Sequence, residues 1–271
     1  MSNLYAVVGN PVEHSLSPFI HKNFAEQTNK RVIYKKMHAK SDSFCDDVRK
    51  FFSLNGIGLN ITLPFKQVAY NMAQSVSTRA ETAGAVNTLF YYKRQLYGDN
   101  TDGAGFINDL QNKHISLLGK KVLIIGAGGA SSGIIPPILA EHPNLLVITN
   151  RTPENAQNLA RSFSYLGGIV YQDLNNLNSH FDLVINATSI SCSDFSFLPP
   201  HIASGAVCYD LSYNNTDDTA FNLWADSQGA VAIFDGIGML VEQAAEAFYL
   251  WHGVRPNTKD VLDKLVGNKL S

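Results

Sequence analysis

Small polar side chains are concentrated where the short apolar runs of the first 110 residues end. They are Ser15, Ser17, Asn60, Thr62, Lys66, Asn87, Asn100, Thr101 and Asp102. Ligands of open α/β sheets bind beyond the carboxyl ends of strands. If these segments converge, they line a pocket with neutral hydroxyls and amides, one ammonium group and one carboxylate. Such a lining suits a small polyhydroxylated acid.

Each of these segments also has a purely structural explanation. Ser17-Pro18 and Thr101-Asp102 are typical of helix caps, and Asn60 and Asn87 could complete turns. Caps and turns are commoner than binding sites, so any one segment alone favours the structural explanation. The combination of all of them predicts the pocket.

A second chemical signal is the glycine turn Gly126-Ala127-Gly128-Gly129-Ala130, which follows the apolar run Lys121–Ile125 and precedes a helical pattern. Gly126 permits a tight turn, and Gly128 lets the backbone approach a pyrophosphate. The N-terminus of the helix offers unpaired N–H groups to the anion. The strand-turn-helix context favours dinucleotide binding over an ordinary glycine turn, although Ser131 stands where the fingerprint expects Gly or Ala.

The end of the next predicted strand, Asn150-Arg151-Thr152, indicates which dinucleotide binds. An NAD site needs a carboxylate there to hold the ribose 2′-hydroxyl, and this segment has none. Arg151 can pair with a 2′-phosphate instead, which favours NADP. The structural alternative is that Thr152 caps a helix with Pro153 at its first position and that Arg151 is only solvated.

The elements that must position these residues form two series of alternating strands and helices. The first hundred residues predict βαβ units with a small hairpin at Thr88–Tyr92 and Gln95–Gly98, and a second series runs from Lys120 to about residue 235. The helical stripe between Gly236 and His252 has no place in the second series. We therefore predict an α/β protein with a discontinuous substrate and catalytic domain (1–101 plus 237–271) and a doubly wound, Rossmann-type NADP-binding domain (102–236).

Composition excludes several functional classes. The chain has 271 residues, 45% of them hydrophobic and 16% charged, and a formal net charge of -2, so it does not resemble a nucleic-acid or membrane-surface binder. Cys45, Cys192 and Cys208 form no C-x-x-C pair, and no His cluster has metal-ligand spacing. No signal-like or membrane-spanning apolar run is present. We predict a cytoplasmic protein without a metal.

Eight motifs together resemble the shikimate dehydrogenase family, in order along almost the whole chain. They are Ser15-Leu16-Ser17-Pro18, Asn60-Ile61-Thr62-Leu63-Pro64-Phe65-Lys66, Gly84-Ala85-Val86-Asn87-Thr88, Gly98-Asp99-Asn100-Thr101-Asp102-Gly103, Gly126-Ala127-Gly128-Gly129-Ala130, Asn150-Arg151-Thr152, Asn186-Ala187-Thr188-Ser189 and Gly238-Met239-Leu240-Val241-Glu242-Gln243-Ala244. The resemblance implies an enzyme of two domains that reduces 3-dehydroshikimate to shikimate with NADPH.

The resemblance also implies roles for individual residues. Lys66 and Asp102 match the catalytic pair, in which Lys66 is the candidate proton donor. Positions that bind shikimate are matched by Ser15, Ser17, Asn60, Thr62, Asn87, Tyr213 and Gln243. Coenzyme positions are matched by Gly126, Ala127, Gly128, Gly129, Ala130, Asn150, Arg151, Thr152, Thr188, Leu211 and Gly236. The expected partner is the small-molecule substrate, and the expected assembly is a monomer or a homodimer.

Two departures from the family pattern bear on the coenzyme site. A second basic residue often follows the arginine of Asn-Arg-Thr, and this chain has Glu154 and Asn155 there. The family usually places a small residue, Gly and then Met or Leu after Asn186-Ala187-Thr188-Ser189, where this chain has Ile190-Ser191-Cys192. Two alternative functions stay open: a quinate/shikimate dehydrogenase that also uses NAD, and a shikimate-binding regulator without turnover.

Overall fold

The computed structural model describes residues 3–188, 194–214 and 217–269. In chain order the elements are β1 (Asn3–Gly9), α1 (Ser17–Gln27), β2 (Val32–His38), α2 (Phe44–Ser53), β3 (Gly56–Ile61), α3 (Lys66–Met72), β4 (Ser75–Val76), α4 (Thr78–Ala83), β5 (Thr88–Tyr92), β6 (Gln95–Asp99), α5 (Asp102–Asn112), β7 (Lys121–Ile125), α6 (Gly129–Ala140), β8 (Leu145–Thr149), α7 (Pro153–Phe163), β9 (Ile169–Tyr171), β10 (Leu183–Asn186), β11 (Val207–Asp210), α8 (Ala220–Ser227), β12 (Ala232–Phe234), α9 (Ile237–His252) and α10 (Lys259–Lys269). Short 3-10 turns lie at Leu174–Asn176 and Pro200–Ile202.

The chain divides into two compact units. Unit 1 comprises Met1–Gly105 and Leu240–Leu265, and unit 2 comprises Phe106–Met239 and Val266–Ser271. The first two changes from one unit to the other fall inside helices α5 and α9, a few residues after the boundaries predicted from sequence, and the third falls inside α10. The predicted domain ranges themselves stay a prediction.

Unit 1 contains a six-stranded mixed sheet in the order β2-β1-β3-β5-β6-β4. β1 pairs in parallel with β2 and β3, whereas β5 runs antiparallel to both β3 and β6. The side chains of successive residues of β1 lie on opposite faces of this sheet, as the two-residue period of a strand requires. Ala6 and Val8 pack with Phe44 and Val48 of α2, and the ring of Tyr5 packs at a tilt against Trp251 of α9.

Helix α4 is only six residues long, and local signals define both of its ends. The N-cap Ser77 accepts a hydrogen bond from the backbone N–H of Ala80, and Gly84 ends the helix in the left-handed region at φ 60°. The helix carries Arg79 toward the end of β6, where it meets Asp99. This short helix therefore places the guanidinium group of Arg79 next to Asp99 in unit 1.

Unit 2 contains an all-parallel sheet in the order β12-β11-β10-β7-β8-β9. Read from β7, this is the 3-2-1-4-5-6 order of a dinucleotide-binding domain. One face packs on α5, α6 and α7 through residues such as Phe106, Ile134 and Ala156, and the other packs on α8 through Phe221 and Ala225. The predicted class is confirmed: a mixed α/β chain with a separate Rossmann-type sheet.

Candidate active site

The ends of β3 and β6 and the start of β5 bring polar side chains together in unit 1. Asn60 of β3 pairs in register with Thr88 of β5, and Thr88 pairs with Asp99 of β6. All three residues are buried. Because Asn87 directly precedes β5 and Asp102 follows β6 by three residues, the local topology concentrates amides, hydroxyls and carboxylates at one place.

Lys66 and Asp102 form an ion pair in this region. Lys66 Nζ lies 2.6 Å from Asp102 Oδ2, and the two side chains are 17% and 7% exposed. Each residue begins a helix, α3 and α5 respectively. The backbone carbonyl of Lys66 also accepts a hydrogen bond from the N–H of Val86, which holds the start of α3 beside the segment that leads into β5. The structure therefore brings together the two residues predicted to transfer the proton.

Asn87 connects this pair to its surroundings. Its Nδ2 donates to Asp102 Oδ1 at 2.8 Å and to Thr101 Oγ1 at 2.9 Å, and it lies 3.4 Å from Gln243 Oε1. Its Oδ1 accepts from the backbone N–H of Thr101 at 2.9 Å. A buried amide with these contacts has one defined rotamer, since reversing it would place oxygen against oxygen. Asn87 therefore fixes the orientation of the Asp102 carboxylate.

A second group of polar side chains extends from Asn60 to the start of α1. Tyr34 Oη donates to Asn60 Oδ1 at 2.7 Å, and its hydroxyl also hydrogen-bonds Ser17. Ser15 Oγ donates to Ser17 Oγ at 3.2 Å. Burial raises the pKa of Tyr34 well above its ordinary value of 10.0, so the phenol stays neutral. Tyr34 is absent from the sequence-based site, and nothing but its strand register points to it.

Ser17 does not act as a side-chain cap. The N-cap residue of α1 is Leu16, whose side chain makes no capping hydrogen bond, and Ser15 Oγ accepts a long hydrogen bond of 3.3 Å from the backbone N–H of Ser17. The Ser17 hydroxyl instead contacts the hydroxyls of Ser15 and Tyr34, and both serine hydroxyls can rotate toward a ligand. This geometry weakens the structural explanation for the Ser15–Ser17 segment and supports the binding one.

Three further residues were assigned to substrate binding. Thr62 follows β3 and is half-buried, with its backbone N–H bonded to the carbonyl of Val8. Gln243 of α9 belongs to unit 1 and places Oε1 3.4 Å from Thr101 Oγ1. Tyr213 follows β11 and belongs to unit 2, so it is not among the side chains that unit 1 itself brings together.

The glycine turn of unit 2 has the form that a dinucleotide site requires. Gly126 has φ 115°, and a Cβ there would lie 2.9 Å from the carbonyl carbon and oxygen of Ala187, so only glycine fits. Gly128 and Gly129 are exposed, and a Cβ on either would meet nothing within 4 Å. Helix α6 begins at Gly129 without a side-chain cap, which leaves its first N–H groups available for a phosphate. The half-buried Ala127 and Ala130 complete this turn.

The Asn150-Arg151-Thr152 segment lies at the end of β8, next to β7. Asn150 Nδ2 donates to the carbonyl of Thr152 at 2.9 Å and so shapes the turn. Thr152 is the N-cap residue of α7 but makes no side-chain capping bond. Arg151 is exposed and forms no ion pair within the described part of the chain. An exposed, uncommitted guanidinium at this strand end fits a 2′-phosphate.

Buried polar groups organise the ends of β10 and β11. Asn186 Nδ2 donates to Asp210 Oδ1 at 2.9 Å, and Asn186 Oδ1 accepts from Thr188 Oγ1 at 2.7 Å. Burial raises the pKa of Asp210 above its ordinary value of 3.8. A Cβ on Gly236 would lie 2.2 Å from the carbonyl oxygen of Leu211, so a side chain there would displace the backbone. The predicted departure at Ile190-Ser191-Cys192 lies outside the described residues.

Within residues 3–188, 194–214 and 217–269, no group of three or more His, Cys, Asp or Glu side chains could hold a metal ion. None of the helices in these ranges is long and apolar enough to cross a membrane.

Models of known families match three parts of the chain. Residues 7–89 match the shikimate dehydrogenase substrate binding domain, residues 109–193 match shikimate / quinate 5-dehydrogenase, and residues 236–265 match the shikimate 5′-dehydrogenase C-terminal domain. The two flanking matches lie mainly in unit 1 and the middle one in unit 2.

Individual proteins match over nearly the whole chain. A shikimate dehydrogenase (NADP(+)) of Cellvibrio japonicus is 48% identical over 98% of this chain and 97% of its own. The crystal structure of an Ael1 enzyme from Pseudomonas putida has a TM-score of 0.91 and 39% identity, covering 97% of this chain and 98% of its own. Shikimate 5-dehydrogenase of Thermus thermophilus, solved in complex with shikimate, has a TM-score of 0.87 and 29% identity over 99% and 100% of the two chains.

Proposed function

Since this chain belongs to the shikimate dehydrogenase family, we propose that it reduces 3-dehydroshikimate reversibly to shikimate with NADPH, as an oxidoreductase of aromatic amino-acid and chorismate biosynthesis. One observation of the structure supports this proposal most directly. Lys66 and Asp102, 36 residues apart in sequence, form a shielded 2.6 Å pair surrounded by amides and hydroxyls. A proton-transfer pair in a neutral polar setting is what reduction of a polyhydroxylated ketone needs.

The Lys66–Asp102 pair would supply the proton that the reduction requires. NADPH, when bound, supplies the hydride that adds to the carbonyl carbon of the substrate. The carbonyl oxygen gains negative charge and takes a proton from Lys66 Nζ, which still has two N–H groups when one is committed to Asp102. Asp102 orients the ammonium group, and Asn87 orients Asp102. In the oxidation direction the deprotonated pair accepts the proton of the substrate hydroxyl.

The remaining polar residues would bind the substrate. We assign the substrate carboxylate to the hydroxyls of Ser15 and Ser17, which can turn from each other toward an anion because each has a rotatable O–H. The ring hydroxyls are assigned to five other side chains. These are Asn60, Thr62, Asn87, Tyr213 and Gln243.

The coenzyme assignment rests on the glycine turn and on Arg151. Gly126, Ala127, Gly128, Gly129 and Ala130 would hold the pyrophosphate, and Asn150, Arg151 and Thr152 would hold the phosphorylated ribose. Thr188, Leu211 and Gly236 would form the part of the site nearest the nicotinamide. Arg151 would bind the 2′-phosphate without a second basic residue, because Asn155 is neutral and Glu154 is acidic.

Initial rates distinguish this function from its alternatives. Shikimate or quinate is mixed with NADP⁺ or NAD⁺, and formation of reduced coenzyme is followed by its absorbance. We expect the highest kcat/KM with shikimate and NADP⁺. Comparable rates with quinate and NAD⁺ would indicate the broader dehydrogenase, and binding of shikimate without turnover would indicate the regulator.

The proposals for the cellular location and the oligomeric state rest on the sequence alone. We propose a cytoplasmic enzyme that is a monomer or a homodimer. Light scattering of the purified protein measures its mass directly, and a larger assembly would contradict this proposal.

A further inference from the structure

Asp99 is a buried carboxylate three residues before Asp102. Its side chain is 4% exposed, and both of its oxygens are bound by one guanidinium. Arg79 Nε donates to Oδ1 at 2.6 Å and Arg79 Nη2 donates to Oδ2 at 3.1 Å. Oδ1 also accepts from the backbone N–H of Asn100 and from Ser77 Oγ. Two-point binding of a carboxylate by arginine fixes direction as well as distance.

The segment that joins Asp99 to Asp102 has little freedom. Asn100 Nδ2 donates to the carbonyl of Ala85 at 3.0 Å, and Asn100 Oδ1 accepts from the backbone N–H of Asp102 at 3.0 Å. Thr101 is held at its N–H by Asn87. A displacement of Asp99 would therefore be passed to Asp102, whose carboxylate lies 2.6 Å from Lys66.

The same guanidinium also contacts helix α9. Arg79 Nη1 donates to Glu246 Oε1 at 3.1 Å, and Glu246 Oε2 accepts from Arg255 Nη1 at 2.7 Å. Gln243 precedes Glu246 by three residues, which places the two side chains on neighbouring parts of one helix face. Arg79 therefore links the segment that carries Asp102 with the helix that carries Gln243.

We propose that Arg79 is a positioning residue for the reaction: its guanidinium, bridging Asp99 and Glu246, sets the place of Asp102 beside Lys66. The proposal rests on the proposed function. Without Arg79, Asp99 keeps a buried charge that has lost its countercharge, and a buried unpaired charge forces its surroundings to rearrange. The hydrogen-bonded segment from Asp99 to Asp102 would transmit that rearrangement to the Asp102 carboxylate.

The test replaces Arg79 with Ala in the full-length protein. Misplacement of a catalytic group by about 1 Å costs on the order of 10²-fold in rate, so we expect kcat for shikimate oxidation to fall roughly 10- to 10²-fold. The KM for NADP⁺ should not change, because none of the residues involved belongs to the coenzyme site. Circular dichroism at the assay temperature establishes that the variant is folded.

Chemical rescue separates positioning from a general loss of stability. The Arg79 side chain is 36% exposed, so added guanidinium can reach the vacated place. At tens of millimolar, guanidinium chloride should restore part of kcat in Arg79→Ala, whereas sodium chloride at equal ionic strength should not. A variant that was only destabilised would lose activity in guanidinium, because guanidinium favours unfolding.

Arg49→Ala is the matched control. Arg49 lies in unit 1 and pairs with Asp46 on the exposed surface of α2, with no contact to the Asp99 segment. Its kcat should equal that of the wild type and should not respond to guanidinium. In the double variant Arg79→Ala/Asp99→Asn, kcat should be no lower than in the worse single variant, because both changes break the same link.

Several results would overturn the proposal. They are an unchanged kcat in Arg79→Ala, a folded Arg79→Ala whose kcat does not respond to guanidinium, and fully additive losses in the double variant. If Arg79→Ala does not fold, Arg79→Lys keeps the charge without the two-point geometry, and its kcat must then fall below that of the wild type. An inactive wild type would instead contradict the proposed function, so the two failures are distinguishable.

Discussion

The two candidate binding regions are built in opposite ways. In unit 1 the site residues are side chains that hydrogen-bond one another: Asn87 contacts Asp102, and Asp102 contacts Lys66. In unit 2 the candidate coenzyme site presents backbone at Gly128 and Gly129 and one exposed charged side chain, Arg151, that has no ion partner in the described chain. The side chains of the unit 1 site hold one another in place without a ligand. In the unit 2 site, the backbone at Gly128 and Gly129 and the Arg151 side chain stay exposed.

This difference matches what each region has to recognise. A small substrate with several hydroxyls is distinguished by side chains at fixed angles, and fixed angles require partners such as Tyr34 and Asn87. A pyrophosphate is recognised by charge and by N–H groups that the start of a helix provides without any side chain. Substitutions should therefore have cooperative effects in unit 1 and independent effects in unit 2.

The largest effect is expected at the centre of the unit 1 network. Lys66→Ala removes the proton donor and a positive charge near the developing alkoxide, so kcat should fall roughly 10²- to 10⁴-fold. The KM for shikimate should change much less, because the hydroxyl and amide contacts remain. Steady-state kinetics across pH measures both. A kcat near that of the wild type at every pH would show that Lys66 is not the proton donor, and Asp102 or a water relay would be the next candidate for that role.

Asp102→Asn tests the cooperative character of the same pair. The substitution keeps the shape of the side chain and deletes its charge, so kcat should fall again. The double variant with Lys66→Ala should be little worse than the worse single variant, since residues acting as one unit are not additive. Additive losses would show that the two residues act separately.

The next effect concerns coenzyme choice in unit 2. Arg151→Asp should reverse the preference from NADP⁺ toward NAD⁺, because a carboxylate repels the 2′-phosphate and accepts from the ribose hydroxyl. A hydrogen bond to a charged group contributes about 1.5–3 kcal/mol, so the ratio of kcat/KM for the two coenzymes should change by roughly 10-fold or more. An unchanged ratio would rule out this role for Arg151.

Unit 1 also buries an imidazole, which gives its stability a dependence on pH. Burial, together with the nearby His252, lowers the pKa of His21 from 6.5 to about 3. Between pH 6.5 and 3 the unfolded chain binds a proton there that the folded chain excludes, so stability is complete above pH 6.5 and falls as the pH drops. The loss attributable to His21 should be about 2 kcal/mol at pH 5 relative to pH 7.

Urea unfolding at pH 7 and pH 5 measures this loss. His21→Phe should show a smaller decrease in the free energy of unfolding than the wild type, since the ring packs against Tyr34 without a titrating group. His180→Gln is the control, because His180 is exposed. Equal decreases in the wild type and His21→Phe would show that other groups dominate.

The last effect is expected on substrate binding, at the edge of the unit 1 network. Ser15→Ala combined with Ser17→Ala should raise the KM for shikimate by roughly 10-fold or more, since each hydroxyl loses a hydrogen bond to a carboxylate. The kcat should be nearly unchanged. An unaltered KM in a folded variant would mean that the two serines have a structural role only.

Much of this architecture could be predicted from sequence because its signals are local. Four strands of unit 2, β7, β8, β10 and β11, are mainly apolar runs of four or five residues, and the Gly126 turn lies directly between β7 and α6. The motifs around Lys66 and Asp102 are contiguous as well. Periodicity and turn chemistry act over a few residues, and these features depend on nothing more distant.

The features that the sequence did not predict depend on distant partners or on very short elements. Strand β4 has two residues and β9 has three, too few for a periodic pattern. Nothing in the neighbouring sequence distinguishes Arg79 from an ordinary helix residue. Its partners Asp99 and Glu246 are 20 and 167 residues away in sequence and contact it only in the folded chain. Tyr34 likewise acquires its role only by pairing with Asn60.

The composition of unit 1 from two separate stretches has a consequence for synthesis on the ribosome. The chain emerges from its N-terminus, so the whole of Phe106–Met239 is made before the stretch Leu240–Leu265 that completes unit 1. Gln243 and Glu246, the partners of Asn87 and Arg79, appear only after Phe106–Met239 has been made. The six-stranded sheet of unit 2 can therefore form before unit 1 is complete, while the substrate site waits for Leu240–Leu265.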